Sequence, residues 1–231
     1  MLDKSSFCGI ILTIRKERAG DGRKENRMTE IFRRLRGTAT PVAVYYKMTG
    51  GFCVGFVREA DDEFVAMELI SPGGRFDGYH CIRIEEILKL DVGTPYLENL
   101  VKVYRHYDEP LPPLKVSAKG VLESFVDFAQ RSKKLCTLEV GFDSLEKISG
   151  YVTDRDWNIV QIRLLDENGR PAGYTEVDAE AIVYIGMDSE FEKYLEILSA
   201  LNGGDAPDGK EGKGGKGRKE DRNILSFPSG K

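Results

Sequence analysis

In "FVAMELI", Phe64 to Ile70, the positions Val65, Met67 and Leu69 alternate along the chain, and Val160, Ile162 and Leu164 alternate in "IVQIRLL". A period of two is that of a strand with one face in a core, so these six residues are predicted to point inward. On the other face the segments differ, with Phe64 and Ala66 in the first and Gln161 and Arg163 in the second. The first is therefore expected to be covered on a side that the second leaves wetter.

The two segments lie 95 positions apart, and at that offset Gly55–Tyr104 overlays Gly150–Ser199 without a gap. Twelve of fifty positions are identical, among them Gly55/Gly150, Val57/Val152, Asp61/Asp156, Gly74/Gly169, Arg75/Arg170, Gly78/Gly173 and Tyr79/Tyr174. Residues with backbone or core roles are the ones kept, which points to an internal duplication. The alternating strand is followed in each copy by a Gly-rich turn, "SPGGRFDGY" and "DENGRPAGY", and by a further strand, so each turn is read as a hairpin. Asn168-Gly169 suits a turn of positive φ, Gly73-Gly74 can adopt the same geometry, and Gly78 and Gly173 mark a bulge or a kink where the next strand bends.

Helices flank the strands. "MTEIFRRLRG" from Met28 and "SAKGVLESFVDFAQRSKK" from Ser117 precede the first strands, Val42–Tyr46 and Cys136–Val140. After the last strands, Thr94-Pro95 supplies an N-cap and a proline at the first helical position, and Ser189 with Glu192 forms a capping box. Tyr96 and Leu100, matched by Phe191 and Leu195, are expected to face the barrel. The predicted fold is mainly β with flanking helices (α+β), arranged as two tandem SH3-like five-stranded barrels. The boundaries are an extension over 1–27, a first barrel over 28–106, a Pro-rich linker over 107–116, a second barrel over 117–201 and a Gly/Lys-rich tail over 202–231. The extension and the tail are predicted to be disordered.

Composition narrows the chemistry. The net charge of −4 conceals basic ends and an acidic middle: residues 1–40 carry 10 Lys/Arg against 5 Asp/Glu, and residues 41–200 carry 17 against 28. Such a body is a poor match to nucleic acid, whose phosphates draw on clustered Lys and Arg. Cys8, Cys53, Cys81 and Cys136 include no C-x-x-C, and His80 and His106 have no ligand-spaced companions, so neither a disulfide framework nor a metal or other cofactor is expected. The apolar run Phe7 to Ile14 is too short to span a bilayer, and a cytoplasmic chain that does not enter membranes is expected.

Gly55-x-Val57-x-x-x-Asp61 and Gly150-x-Val152-x-x-x-Asp156, each after a strand and hairpin, resemble the first motif of the Sm and Sm-like family of small SH3-like barrels, here in tandem as in bacterial Sm-like repeat proteins. The resemblance covers roughly 41–92 and 135–187. It implies Sm-like barrels whose neighbours pair edge to edge. Family members that bind RNA carry Asn four residues after the Asp and a basic signature at the penultimate hairpin. Val65 and Val160 stand at the Asn positions and Arg-Gly is lacking, so the resemblance implies the fold without the base pocket.

Candidate contact residues follow from the loops. Asp61 and Asp156 either cap their turns through backbone N–H groups or face a ligand. Arg75 and Arg170 either bind an anion, form a surface ion pair or pack on Tyr79 and Tyr174. Trp157 beside Asp156 is either buried or a contact aromatic. No phosphate loop, nucleophile elbow or zinc-binding helix motif is found, and no enzyme activity is expected. The leading expectation is an interaction protein that binds protein partners or self-associates through sheet edges. The alternative is binding of RNA or single-stranded nucleic acid by the basic ends, including Arg33, Arg34 and Arg36.

Overall fold

The computed structural model describes residues 27–47, 52–107, 120–141, 146–156 and 158–203. The linker residues 108–119, Trp157 and most of the two terminal segments lie outside the described residues.

The first copy runs α1 (Arg27–Leu35), β1 (Pro41–Tyr46), β2 (Phe52–Ala60), β3 (Phe64–Ile70), β4 (Phe76–Arg83), β5 (Ile87–Val92) and α2 (Pro95–Tyr107). The second runs α3 (Val121–Ser132), β6 (Leu135–Val140), β7 (Glu146–Arg155), β8 (Ile159–Leu165), β9 (Pro171–Asp178), β10 (Ile182–Met187) and α4 (Glu190–Leu201). A short 3-10 turn joins the last two strands of each copy, at Ile84–Glu86 and Ala179–Ala181.

The duplication is repeated down to its irregularities. Gly55 pairs with Leu69 and Gly150 with Leu164, and the ladder slips between Val57 and Glu59 in one copy and between Val152 and Asp154 in the other. The bulges predicted at the hairpins are present, where Tyr79 and Phe76 oppose Glu68 and Ile70, and Tyr174 and Pro171 oppose Arg163 and Leu165. The first glycine of the motif is required by close approach of the strands. A Cβ on Gly55 would lie 2.0 Å from the Glu68 carbonyl oxygen, and one on Gly150 would lie 2.3 Å from that of Arg163.

Two separate five-stranded barrels are not what the strands form. All ten belong to one open antiparallel sheet in the order β5-β1-β2-β3-β4-β10-β6-β7-β8-β9. The α+β class holds, but two separate, closed barrels are replaced by one continuous open sheet, because β4 of the first copy pairs with β10 of the second. Each copy keeps the same internal order, with its fifth strand on its first and its fourth strand at the far end.

The core follows the join. Val65, Met67 and Leu69 face a cluster with Phe32, Val42 and Ile82, into which Tyr184 of the second copy also packs. The other face of β3 and β4, with Phe64, Ala66, Tyr79 and Cys81, shares one cluster with Val121, Leu122 and Phe125 of α3 and with Val160 and Ile162. Every residue of β3 is buried, whereas β8 has an exposed or half-covered residue at each of Ile159, Gln161, Arg163 and Leu164. The difference read from the sequence between these faces is therefore realised, and α3 is its cause. One expectation fails: Leu100 and Leu195 are buried, but Tyr96 and Phe191 are exposed, and α2 buries Leu97 instead of Tyr96.

Candidate interaction site at the seam and the sheet ends

Asp61 ends β2. One carboxylate oxygen accepts hydrogen bonds from the Glu63 and Phe64 N–H groups at 2.9 and 2.7 Å, which is the turn-capping role expected of it. The other accepts the Val121 N–H at 2.7 Å, the first residue of α3 in the second copy. Gly120, which precedes that helix, has no side chain to cap it, so a residue 60 positions earlier does so. Asp77 acts likewise at α4, accepting the Glu190 N–H at 3.0 Å next to the capping box that Ser189 and Glu192 complete.

Arg83, at the end of β4, is the latch of the seam. Its guanidinium donates to the Ile182 carbonyl at 3.1 and 3.0 Å and to the Glu180 carbonyl at 2.8 Å, and it lies 4.6 Å from the centre of the Phe64 ring. A cleft of about 390 Å³ opens beside it, walled by Asp61, Glu63, Glu123 and Asn158. His80 meets Tyr184 edge-on across the seam, with ring centres 4.7 Å apart. Burial holds its imidazole neutral and pushes its pKa down to about 3.

The other candidates fall into three groups. Tyr79 is 1% exposed and packs against Phe76 and Phe128, so it belongs to the core, while its counterpart Tyr174 is 67% exposed. Arg75 lies with its guanidinium 3.8 Å from the centre of the Tyr107 ring, a partner at the end of α2 other than the expected Tyr79. Arg170 is exposed, and its backbone N–H donates to Asp166 at 2.8 Å. Asp156 is exposed on the loop after β7, and its N–H donates to the Ile159 carbonyl as that of Asp61 donates to Phe64. Trp157 lies outside the described residues. The candidates are thus split between the seam and the β9 end and form no single pocket.

Arg83, Asp77 and the second oxygen of Asp61 are what sequence reasoning missed. The available signal was a departure from the repeat: position 83 is Arg where the second copy has Asp178, and position 77 is Asp where it has Ala172. A buried carboxylate also went unnoticed. Glu68 is held by Arg58 at 2.6 Å and by the Tyr104 hydroxyl at 2.7 Å, which ties α2 to β3; Arg163, Thr153 and Ser199 occupy the matching positions.

Among the described residues, no group of three or more His, Cys, Asp and Glu side chains could hold a metal ion, and no helix is long and apolar enough to cross a membrane. Comparison with family models, with curated proteins and with solved structures finds no match.

Proposed function

We propose that this chain is a non-enzymatic interaction protein that works by strand addition at the edges of its sheet. The observation that carries this reading is the seam: two copies of one unit are joined by β4 and β10, which leaves β5 and β9 as the sheet edges with no strand partner among the described residues. An unpaired edge presents a row of N–H and C=O groups to any strand that can align with it. The recurrence of one strand order in both halves, with the motifs at Gly55 and Gly150, supports regarding each half as an Sm-like unit of the SH3-like type.

Residue chemistry favours binding over catalysis. The thiols of Cys81 and Cys136 are pushed up by burial, Cys53 is pushed up to about 12, and His80 is held neutral, so the described cysteines and the seam histidine are ill suited as nucleophiles or bases. Those three cysteines are free thiols, which accords with a cytoplasmic setting. Nucleic-acid binding is the competing reading and rests on the basic N-terminal segment with Arg33, Arg34 and Arg36 and on the Lys-rich tail, most of which lies outside the described residues. In the described part, Arg33 pairs with Asp62, Arg34 with Glu30 and Arg36 with Glu59, and Val65 and Val160 are 0% and 3% exposed where a base-reading amide would be needed.

Light scattering on the purified chain tests the proposal. Particles heavier than the 25.9 kDa single chain are expected, and a mass that stays at one chain at every concentration counts against it. A mobility-shift assay with single-stranded RNA at low salt, with and without residues 1–26 and 204–231, decides the competing reading. Retardation that depends on those segments would favour it.

A further inference from the structure

The outer face of α4 is apolar. Its Tyr194, Ile197 and Leu201 are 59%, 61% and 77% exposed, while Leu195 on the other side is buried with Leu135 and Tyr151. Spacing of three and four residues sets the exposed side chains in one stripe. At the matching positions α2 has Asn99, Lys102 and His106, so the stripe is not a consequence of the duplication. We propose that this face is the dock of a segment of the same chain, Ile224-Leu225-Ser226-Phe227, which returns antiparallel along α4. The contact is independent of strand addition at the sheet edges.

The segment is the next apolar stretch that the chain offers. From Asn202 to Asn223 every residue is polar, charged, Gly, Ala or Pro, and then Ile224, Leu225 and Phe227 follow almost together. The intervening residues 204–223 are Gly-rich, and a stretch of that length and composition has a root-mean-square span of about 25 Å. The helix Glu190–Leu201 is about 18 Å long, so the segment reaches any part of it. The steps match as well. Ile224 to Phe227 covers about 10 Å when extended, and Leu201 to Tyr194 covers about 10 Å along the helix axis. Laid antiparallel, Ile224 and Leu225 meet Leu201 and Ile197. Phe227 meets Tyr194, beside an open depression of about 480 Å³ bounded by Asp77, Glu190 and Phe191.

Charge selects this occupant. Helix α4 carries Glu190, Glu192 and Glu196 against Lys193, and its end touches the hairpin of Asp166 and Glu167, where the Asn202 side chain donates to the Asn168 carbonyl at 2.7 Å. The approach to the apolar segment is basic, with Lys210, Lys213, Lys216, Arg218 and Lys219 against Glu211. On α2 the sign is reversed, with Lys102 and Arg105 against Glu98. Two copies of α4 laid face to face would instead bring like charges together. The tether supplies a local concentration on the order of millimolar, so a contact of three side chains that is too weak for a free peptide holds within one chain. Such a contact opens and recloses, and α4 presents its apolar face only while the segment is away.

A nitroxide attached at Ser226→Cys tests the contact. In a Cys8→Ser, Cys53→Ser background the remaining cysteines, Cys81 and Cys136, are buried and escape the label. In the full chain the amide NMR signals of Tyr194, Ile197 and Leu201 are expected to be lost to broadening, while those of Asn99, Lys102 and His106 keep their intensity. Adding Ile224→Ser, Leu225→Ser and Phe227→Ser, which lie outside the folded body described above, restores the α4 signals. In a mixture of labelled chains with isotope-enriched, unlabelled chains, the enriched α4 signals stay at full height. Retained α4 signals in the labelled chain, or a loss that persists after the three Ser substitutions, would overturn the proposal. Loss of the enriched signals in the mixture would overturn it too, by giving the face to a second copy.

Discussion

Three hydrogen bonds from Arg83 hold the two halves together, and nothing within one copy asks for them. Arg83→Met keeps a stem over Phe64 but removes the donors to the Glu180 and Ile182 carbonyls. A loss of about 2 kcal/mol in urea unfolding is expected, against less than about 0.5 kcal/mol for exposed Arg170→Met. His80 sets a pH dependence of definite sign. The unfolded chain takes up a proton below its ordinary value of 6.5, but the folded chain resists until about 3. The contribution of His80 is complete above 6.5 and is lost as pH falls through that window, on the order of 2 kcal/mol by about pH 4.5. Glu139, whose carboxyl is pushed up by burial, acts in the opposite direction. Comparing urea midpoints of the native chain and His80→Phe from pH 7 to 4.5 isolates the histidine, and equal slopes would contradict this account.

Elements of one copy depend on side chains of the other. Asp61→Ala removes the cap of α3 and is expected to cost about 1 to 2 kcal/mol, with faster hydrogen exchange at the Val121 amide. Asp156→Ala, at the matching loop, should change the stability of a single chain little. Much at this scale was legible in the sequence. The alternation of Val65, Met67 and Leu69 gave β3, the Gly-rich turns gave the hairpins with their bulges, and Thr94-Pro95 and Ser189 with Glu192 gave the starts of α2 and α4. Each of these is a short-range pattern, read over a few neighbouring residues. The seam has no such pattern, because β4 meets β10 across about a hundred residues and the pairing is made by backbone groups common to every sequence. The misplacement of Tyr96 and Phe191 has a related cause. Helical periodicity identifies an apolar face but not which flank of it the sheet covers, and Leu97 won that place on α2.

At the scale of the molecule the shared core binds the copies into one cooperative unit. Tyr184 lies among first-copy residues, and Phe64, Ala66 and Tyr79 lie among second-copy residues. A single unfolding transition is therefore expected, with far-ultraviolet circular dichroism and tyrosine fluorescence following the same curve. The placement of α3 also bears on how the protein is made. During synthesis the first half emerges with the apolar outer face of β3 and β4 complete, but the helix that covers it, Val121–Ser132, is the start of the second half. Until that helix leaves the ribosome the nascent chain carries a bare patch of Phe64, Ala66, Tyr79 and Cys81 beside an unpaired β4 edge, a combination that invites aggregation. A chain stopped at Tyr107 is expected to pellet where the full chain stays in solution, the outcome that follows if the first half depends on the second for its cover.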